Sequence, residues 1–539
     1  MLSLEAWKLA KNPGTLAPQD VASNKGNVMR ASSGHQDPVP MALRNWGAWD
    51  YVTYWMSDLI NATTWQIASA ALLVGLSTND AIAIASLAAI LNALPTVLCG
   101  QPGTDHHIPF PIAIRATFGY YFSLFCVLSR ALLGAVWFGV NTYYGSFIVT
   151  EIIAAIWPGY RRIGNQLDAS ASITTQQMIS YILFIVVQTP FLLIPVGSLR
   201  KLFMVKAVLL IPVSIAMVIW ICVKSGNVSA IFSQPATVHG SARVWLWLGT
   251  LSANTNAWLS STINMPDFTR FSRTKRAPLS MLPTIPVIRI AYAIMGIAMA
   301  GAGRELYGED VWNPIQVLAK WTTPGGRFLA FCCGCLWLLA QVCTNVSANS
   351  APFGHDAMNI APAWIDVRRG SLVCMLIGSW AMVPWLLVNS ASKFLTFMNG
   401  YGCFICAIVS IAMSDYWLVR KRKLDVPSLY NPNGRYKYTS GTNLRAAAIQ
   451  LLFMSVFIPG LVQTINPTIR LPQGLTNMFA VNWFVNTLGP GLLYYLLYLV
   501  LPEDGSIASD SEVTLLEGMP AAVQAETVCR TVGDVGEKV

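Results

Sequence analysis

From Tyr51 onward the chain alternates apolar stretches with short polar ones, and most of the apolar stretches have the length of a helix that crosses a bilayer, about 20 residues. Twelve spans are predicted, beginning near Tyr51, Ala81, Tyr120, Met178, Val205, Trp245, Ile285, Arg327, Ser371, Lys393, Arg445 and Asn482. The pattern therefore predicts an all-α polytopic membrane protein in three parts. Residues 1–50 form a polar cytosolic tail with little fixed structure, 51–501 a domain of twelve transmembrane helices, and 502–539 an acidic, Ser-rich, disordered cytosolic tail. The N-terminus has no apolar signal-peptide core, so the first span is expected to serve as the insertion signal.

Two spans depart from the apolar pattern. Tyr54 to Leu76 carries Asp58, Asn61, Thr63, Thr64 and Gln66, and Trp245 to Phe268 is similarly rich in Ser, Thr and Asn. A carboxylate near the centre of a span costs about 2.5–3.5 kcal/mol on insertion scales, so it needs a partner or a water-filled cavity. These are the first and sixth spans, and polar, interrupted spans at corresponding positions of two halves mark a transporter's binding site. The third span adds Trp137 and Asn141, four apart and on one helix face. The eighth adds Cys343, Thr344, Asn345, Ser347 and Asn349. Spans one and six, and three and eight, correspond under a five-span inverted repeat, so all four are expected to converge near the midplane. Thr189-Pro190, Pro212, Pro283, Pro286 and Pro384 also interrupt spans, each reading by itself as a simple kink.

Composition excludes the soluble alternatives. The 539 residues are 54% hydrophobic and 11% charged, with a mean hydropathy of +0.50. The net charge of +10 is scattered among short loops with no aromatic-interleaved basic domain, which argues against nucleic acid and for membrane orientation. With both termini inside, the even-numbered loops hold about seventeen basic residues and the odd ones about nine. The loops RFSRTKR from Arg270 and RKRKLDV from Arg420 then face the cytosol, and the sequon at Asn227 faces outward. Ten of the eleven cysteines lie in or beside apolar spans and read as small buried thiols.

Indole faces stack on flat heteroaromatic rings, and amides pair with a lactam or ureide edge as donor and acceptor. With no fixed charge evidently placed for a carboxylate or phosphate, the expected solute is a neutral planar ring. The ordinary alternatives are that Trp137 and Trp258 anchor at the interface and that the amides join helices to one another. His106-His107 reads as a cytosolic turn rather than a catalytic pair, and Asp267 with Arg270 and Arg273 as inner-gate ion pairs.

The motifs RNWGAWDYVTYWMSD from Arg44, IPFPIAIRATFG from Ile108, WFGVNTYYG from Trp137, STINMPDFTRFSR from Ser261, CTNVSANSAP from Cys343 and MSDYWLVRKRK from Met413 resemble the nucleobase-cation symporter family one, and within it the fungal Fur-type permeases. The resemblance implies a leucine-transporter-like five-plus-five inverted repeat with two added helices. It also implies import of uracil, allantoin, uridine, hydantoins, thiamine or related compounds with a proton or Na+. By motif, Trp137 and Trp258 look like the pair that sandwiches the ring, and Asn61, Asn141 and Asn349 like its hydrogen-bonding amides. Asn141 is a departure, since relatives commonly carry Gln there, and the shorter side chain leaves room for a bulkier ligand. Cys406-Ala407 replaces a common Gly-Pro in the tenth span, the family's outer gate.

The cation site of Na+-coupled relatives maps to Ser57, Ile60, Ala340, Cys343 and Thr344. A thiol is a poor ligand for a hard cation, whereas Lys206 is placed to project its ammonium there and to gain and lose a proton through the cycle. A snorkelling interfacial lysine is the plain alternative. Asp58 is the second candidate proton carrier. The expectation is a plasma-membrane, proton-coupled importer of a planar nitrogen heterocycle, needing no cofactor beyond the co-transported ion. Its rivals are a non-transporting sensor, an exporter of a heterocyclic metabolite and a membrane-embedded enzyme, the last disfavoured because no nucleophile and base pair is evident.

Overall fold

The computed structural model describes residues 36–194, 200–309, 311, 313–361, 364–388 and 390–502, and among them helices and turns account for all regular structure apart from two isolated β-bridges. Eight helical stretches are long and apolar enough to cross a membrane: Thr78–His106, Phe122–Ile156, Met204–Ser225, Ala277–Tyr307, Pro324–Ile360, Ala391–Val419, Leu444–Ile465 and Asn482–Val500. The other four expected spans are shorter or broken. The first consists of α1 (Ala48–Leu59) and α2 (Ala62–Leu73), followed by α3 (Thr78–His106) and α4 (Phe122–Ile156). The fourth is α5 (Thr175–Leu192), whose first turn carries two glutamines, and α6 (Arg200–Ser225) follows it. The sixth falls into α7 (Gly240–Asn256), α8 (Leu259–Ile263) and α9 (Met265–Thr269). Beyond it run α10 (Met281–Tyr307), α11 (Pro324–Thr344), α12 (Ala351–Ile360), α13 (Val367–Leu376), α14 (Ala391–Ser414), α15 (Leu444–Ile465) and α16 (Asn482–Val500).

The breaks have local causes. Asn61 is extended and caps α2, its Oδ1 accepting from the Thr64 N–H at 2.9 Å, while its Nδ2 donates to the Asp58 carbonyl at 2.6 Å. One amide thus serves an unpaired donor of one helix and an unpaired acceptor of the other. In the sixth span Ala257 and Trp258 interrupt the ladder, and Pro266 stands in the first turn of α9. The eighth span keeps its course through a π-helical stretch, Asn345–Ser350, between α11 and α12. In the ninth, a second π stretch (Ile377–Ala381) ends at Val383 with a φ of 43°, just before Pro384.

Two groups of helices surround these breaks. One packs α3 against α10, α7 and α9; the other packs α4 against α5, α11 and α12. The π stretch of the ninth span also packs on α4, so closely that a Cβ on Gly139 would overlap the Gly378 carbonyl oxygen. The largest buried cluster, with Tyr51, Trp55, Trp137, Trp258 and Phe394, lies where the groups meet.

The expected tails fall mostly outside the described residues, which exclude 1–35 and 503–539. Residues 36–47 are held against the body, contrary to the expectation of a loose tail to residue 50. The Val39 N–H donates to the His107 carbonyl at 3.0 Å, the Tyr430 hydroxyl donates to the Gln36 carbonyl at 2.8 Å, and Trp46 bridges to Ser272. Backbone groups that find fixed partners explain the order of a polar segment that composition reads as loose. His107 closes α3 with a left-handed cap, in keeping with a turn.

Candidate functional site

Both interrupted spans open onto one narrow cavity with about 40 Å³ of free space. The first span contributes Asp58, Asn61, Thr63 and Ile67, and the third Trp137 and Asn141. The sixth contributes Ala257, Trp258, Ser260 and Ser261, and the eighth Thr344, Ala348 and Asn349. The structure therefore brings together all five side chains expected to bind substrate. Thr63, Ile67, Ser260 and Ser261 are wall residues that the sequence reading did not assign.

The two tryptophans are positioned differently. Trp137 is held edge-on by Phe394, Phe397 and Tyr401 of α14, with ring centroids 5.5–6.3 Å away. Trp258 sits in the break itself, at the start of α8, with the Arg289 guanidinium of α10 4.9 Å from its ring. The tenth span also grips the sixth at Asn256. The Tyr401 hydroxyl donates to its carbonyl at 2.6 Å and the Cys406 thiol to its Oδ1 at 3.1 Å. Its Nδ2 donates to the side-chain carbonyls of Asn399 and Asn482 at 3.2 and 2.9 Å.

The amides differ in what they retain for a ligand. Asn61 is engaged by the helix break on both its oxygen and its nitrogen. Asn141 accepts on Oδ1 from the Thr63 hydroxyl and from Gln341 Nε2, both at 2.7 Å, which leaves its NH2 group on the cavity wall. Asn349 donates from Nδ2 to Asn345 Oδ1 at 2.9 Å, which leaves its side-chain carbonyl. The third span thus offers a donor and the eighth an acceptor. Gln341 is a supporting residue missed from the sequence, although Gln341, Asn345 and Asn349 stand at the i, i+4, i+8 spacing that marks one helix face.

At the junction of the first, fifth and eighth spans, Lys206 is 1% exposed and is not a snorkelling residue. Its Nζ donates to the Ser57 carbonyl and, at 3.0 Å, to Thr344 Oγ1, two of the five positions mapped to a cation site. Ile60 and Ala340 are buried together in the neighbouring apolar cluster, and the Cys343 carbonyl accepts from Ser347 at 3.0 Å. Asp58 is buried on the cavity wall and receives a long hydrogen bond of 3.4 Å from Ser261 Oγ. Two fixed charges stand close to the site: Asp58 lines the cavity and Arg289 lies against one of its tryptophans.

The expected pairing of Asp267 is also corrected. Its carboxylate meets Arg130 of α4 at 2.8 Å, and Arg130 in turn holds Asp356 of α12 through two contacts, one of them 2.8 Å from Nε to Oδ2. Arg270 Nε donates instead to the Asp267 backbone carbonyl at 3.2 Å. A buried carboxylate on α9 finds a buried guanidinium nearby, whereas Arg273 lies at the exposed end of the segment.

A helical membrane protein whose broken spans frame a buried cavity has the architecture of a secondary transporter. The chain belongs to the family of permeases for cytosine/purines, uracil, thiamine and allantoin, whose model matches residues 38–486. The uracil permease of Saccharomyces cerevisiae is 31% identical over 466 residues, covering 83% of this chain and 72% of that protein. The allantoin permease of the same yeast is 30% identical over 482 residues, covering 87% and 76%. Among solved structures, Mhp1, a nucleobase-cation-symport-1 transporter in a closed conformation with bromovinylhydantoin bound, superposes with a TM-score of 0.68 at 19% identity. The match covers 89% of this chain and 98% of that one, and the two share a fold. The protein is an integral membrane permease, and its relatives are transporters rather than enzymes.

Proposed function

We propose that this permease imports a planar nitrogen heterocycle of the uracil or allantoin kind with a proton, by alternating access across the plasma membrane. The observation that carries the reading is the cavity wall. Two indoles stand with one free amide donor, Asn141, and one free amide acceptor, Asn349, the pair that a lactam or ureide edge requires. Trp137 and Trp258 stack on the ring, and Asn61 holds the break that shapes the wall. The names of the yeast relatives support this substrate class.

Lys206 supports proton rather than Na+ coupling. Its ammonium contacts the Ser57 carbonyl and the Thr344 hydroxyl, where a cation would otherwise need oxygens, and Cys343 adds a thiol to that set. Asp58, on the cavity wall, is the second group that can carry the proton. In the proposed architecture the twelve spans form a five-plus-five inverted repeat with two added helices, and both termini are cytosolic. Spans one, two, six and seven rock against the rest while the tenth closes the outer side over the ligand. Substrate and proton drive the cycle only by favouring the closed state over the open ones.

The test is uptake of radiolabelled uracil, allantoin, uridine, hydantoin, thiamine and nicotinamide riboside into cells lacking their own permeases, at pH 5 and pH 8. Saturable uptake of one member, stronger at pH 5 and abolished by Trp137→Ala, is expected. Uptake that is equal at the two pH values refutes proton coupling, and uptake that survives Trp137→Ala refutes the site.

A further inference from the structure

Arg289 is buried in the first half of α10, 5% exposed, and among the described residues it forms no ion pair. Its NH1 donates to the Ala88 carbonyl at 3.4 Å and its NH2 to the Asn254 carbonyl at 3.3 Å, so both acceptors are neutral backbone groups. Asn254 lies in the last turn of α7, where the helix dipole presents its negative end, which gives the charge a reason to be there. The guanidinium carbon is 4.9 Å from the centre of the Trp258 ring. Trp258 lines the cavity and Arg289 does not, so the cation stands behind the indole.

From this geometry we propose that Arg289 is a charge filter acting through Trp258: the site takes neutral or electron-rich planar rings and rejects cationic ones. The inference rests on the reading that Trp258 stacks on the substrate. A cation held against one face of an indole uses the negative potential that would attract a second cation to the other face. Direct repulsion adds to this. A positively charged ring stacked on the cavity side lies about 8 Å from the guanidinium, and at an effective dielectric constant of about 20 the two charges disfavour binding about thirtyfold. Two other charged groups stand near the cavity. Asp58 on the wall and Lys206, which bonds to the Ser57 carbonyl and to Thr344, carry opposite charges and stay in place when Arg289 is replaced, so the change in discrimination on that replacement reports the Arg289 charge.

The test uses full-length protein in lipid nanodiscs and measures thermal stabilisation by neutral rings (uracil, allantoin, nicotinamide) and cationic ones (thiamine, N1-methylnicotinamide). The wild type is expected to be stabilised by at least one neutral member and at least tenfold more weakly by the cationic ones. Arg289→Met is expected to reduce that ratio by about tenfold or more, and Arg289→Lys to preserve it. A cationic ring that stabilises the wild type as well as its neutral counterpart overturns the filter, as does an unchanged ratio in a folded Arg289→Met protein. If Arg289→Met does not fold, the wild-type comparison of nicotinamide with N1-methylnicotinamide decides, because the two differ by one methyl group and one charge. Trp137→Ala separates the layers: retained stabilisation there refutes the stacking site, whereas loss there with no charge discrimination in the wild type refutes the filter alone. Stabilisation by no ring overturns both.

Discussion

Replacing Lys206 with methionine removes the ammonium while keeping a flexible side chain of similar length. In the wild type Nζ supplies two charge-assisted hydrogen bonds, to the Ser57 carbonyl at the end of α1 and to Thr344 Oγ1 at the end of α11. Such bonds contribute about 1.5–3 kcal/mol each, and the Ser57 hydroxyl is already buried without a partner. Even at the lower figure, the arrangement joining the first, fifth and eighth spans loses about 3 kcal/mol, equivalent to about a hundredfold in the equilibrium it holds. Lys206→Met is therefore expected to bind substrate about a hundredfold more weakly and to take it up equally at pH 5 and pH 8. Lys206→Arg separates charge from proton exchange: a guanidinium keeps the positive charge but does not deprotonate, so binding persists while accumulation against a gradient is lost. The assay is uptake with and without an imposed proton gradient in reconstituted vesicles, paired with binding to the purified protein. A wild-type ratio of uptake at pH 5 to that at pH 8 in either variant refutes the assignment.

Three further outcomes follow from the same geometry. Asn141→Gln pushes the amide into the cavity by one methylene and removes the fit to Thr63 and Gln341, so competition assays should shift towards small rings and away from bulky ones by about tenfold or more. Arg130→Met leaves two buried carboxylates facing one another without their cation and is expected to cost about 3–5 kcal/mol, seen as a lowered melting temperature. Arg130→Met with Asp356→Asn should recover part of that loss. Gly139→Val places a side chain against the Gly378 carbonyl, a backbone group that cannot step aside. Loss of folded protein is expected, measured by size-exclusion chromatography, without the pH signature of the Lys206 variants.

What the sequence disclosed was contrast. Asp58, Asn61, Trp137, Asn141, Trp258 and Asn349 stand out because polar and amphipathic groups are costly in apolar spans, and all six line the cavity. Lys206 was legible for the same reason. Arg130 with Asp267 and Asp356 was not, because the partners lie 137 and 226 residues apart and a charge pattern along the chain says nothing about which helices meet. Arg289 was visible as a charge in a span, but its position against Trp258 depends on how α10 packs on α3 and reaches Asn254 of α7. That the first and sixth spans are interrupted was legible from their polar residues, but the break points at Ile60 and Ala257 and the π stretches of the eighth and ninth spans escaped for a related reason. They are settled by which side chain replaces a missing backbone partner, as Asn61 does, and not by local apolar periodicity.

The same limit explains why counting amides does not by itself give a ligand. Asn61, Asn141 and Asn349 look alike in the sequence, yet the fold occupies both ends of the first, the carbonyl of the second and the amino group of the third. The recognition pattern left on the wall is therefore one donor and one acceptor on neighbouring spans, set by the supporting residues Thr63, Gln341 and Asn345 as much as by the amides themselves. A change in any of those three reverses or blurs the pattern while every wall residue stays in place, so ligand preference in this architecture can move without any change to the residues that touch the ligand.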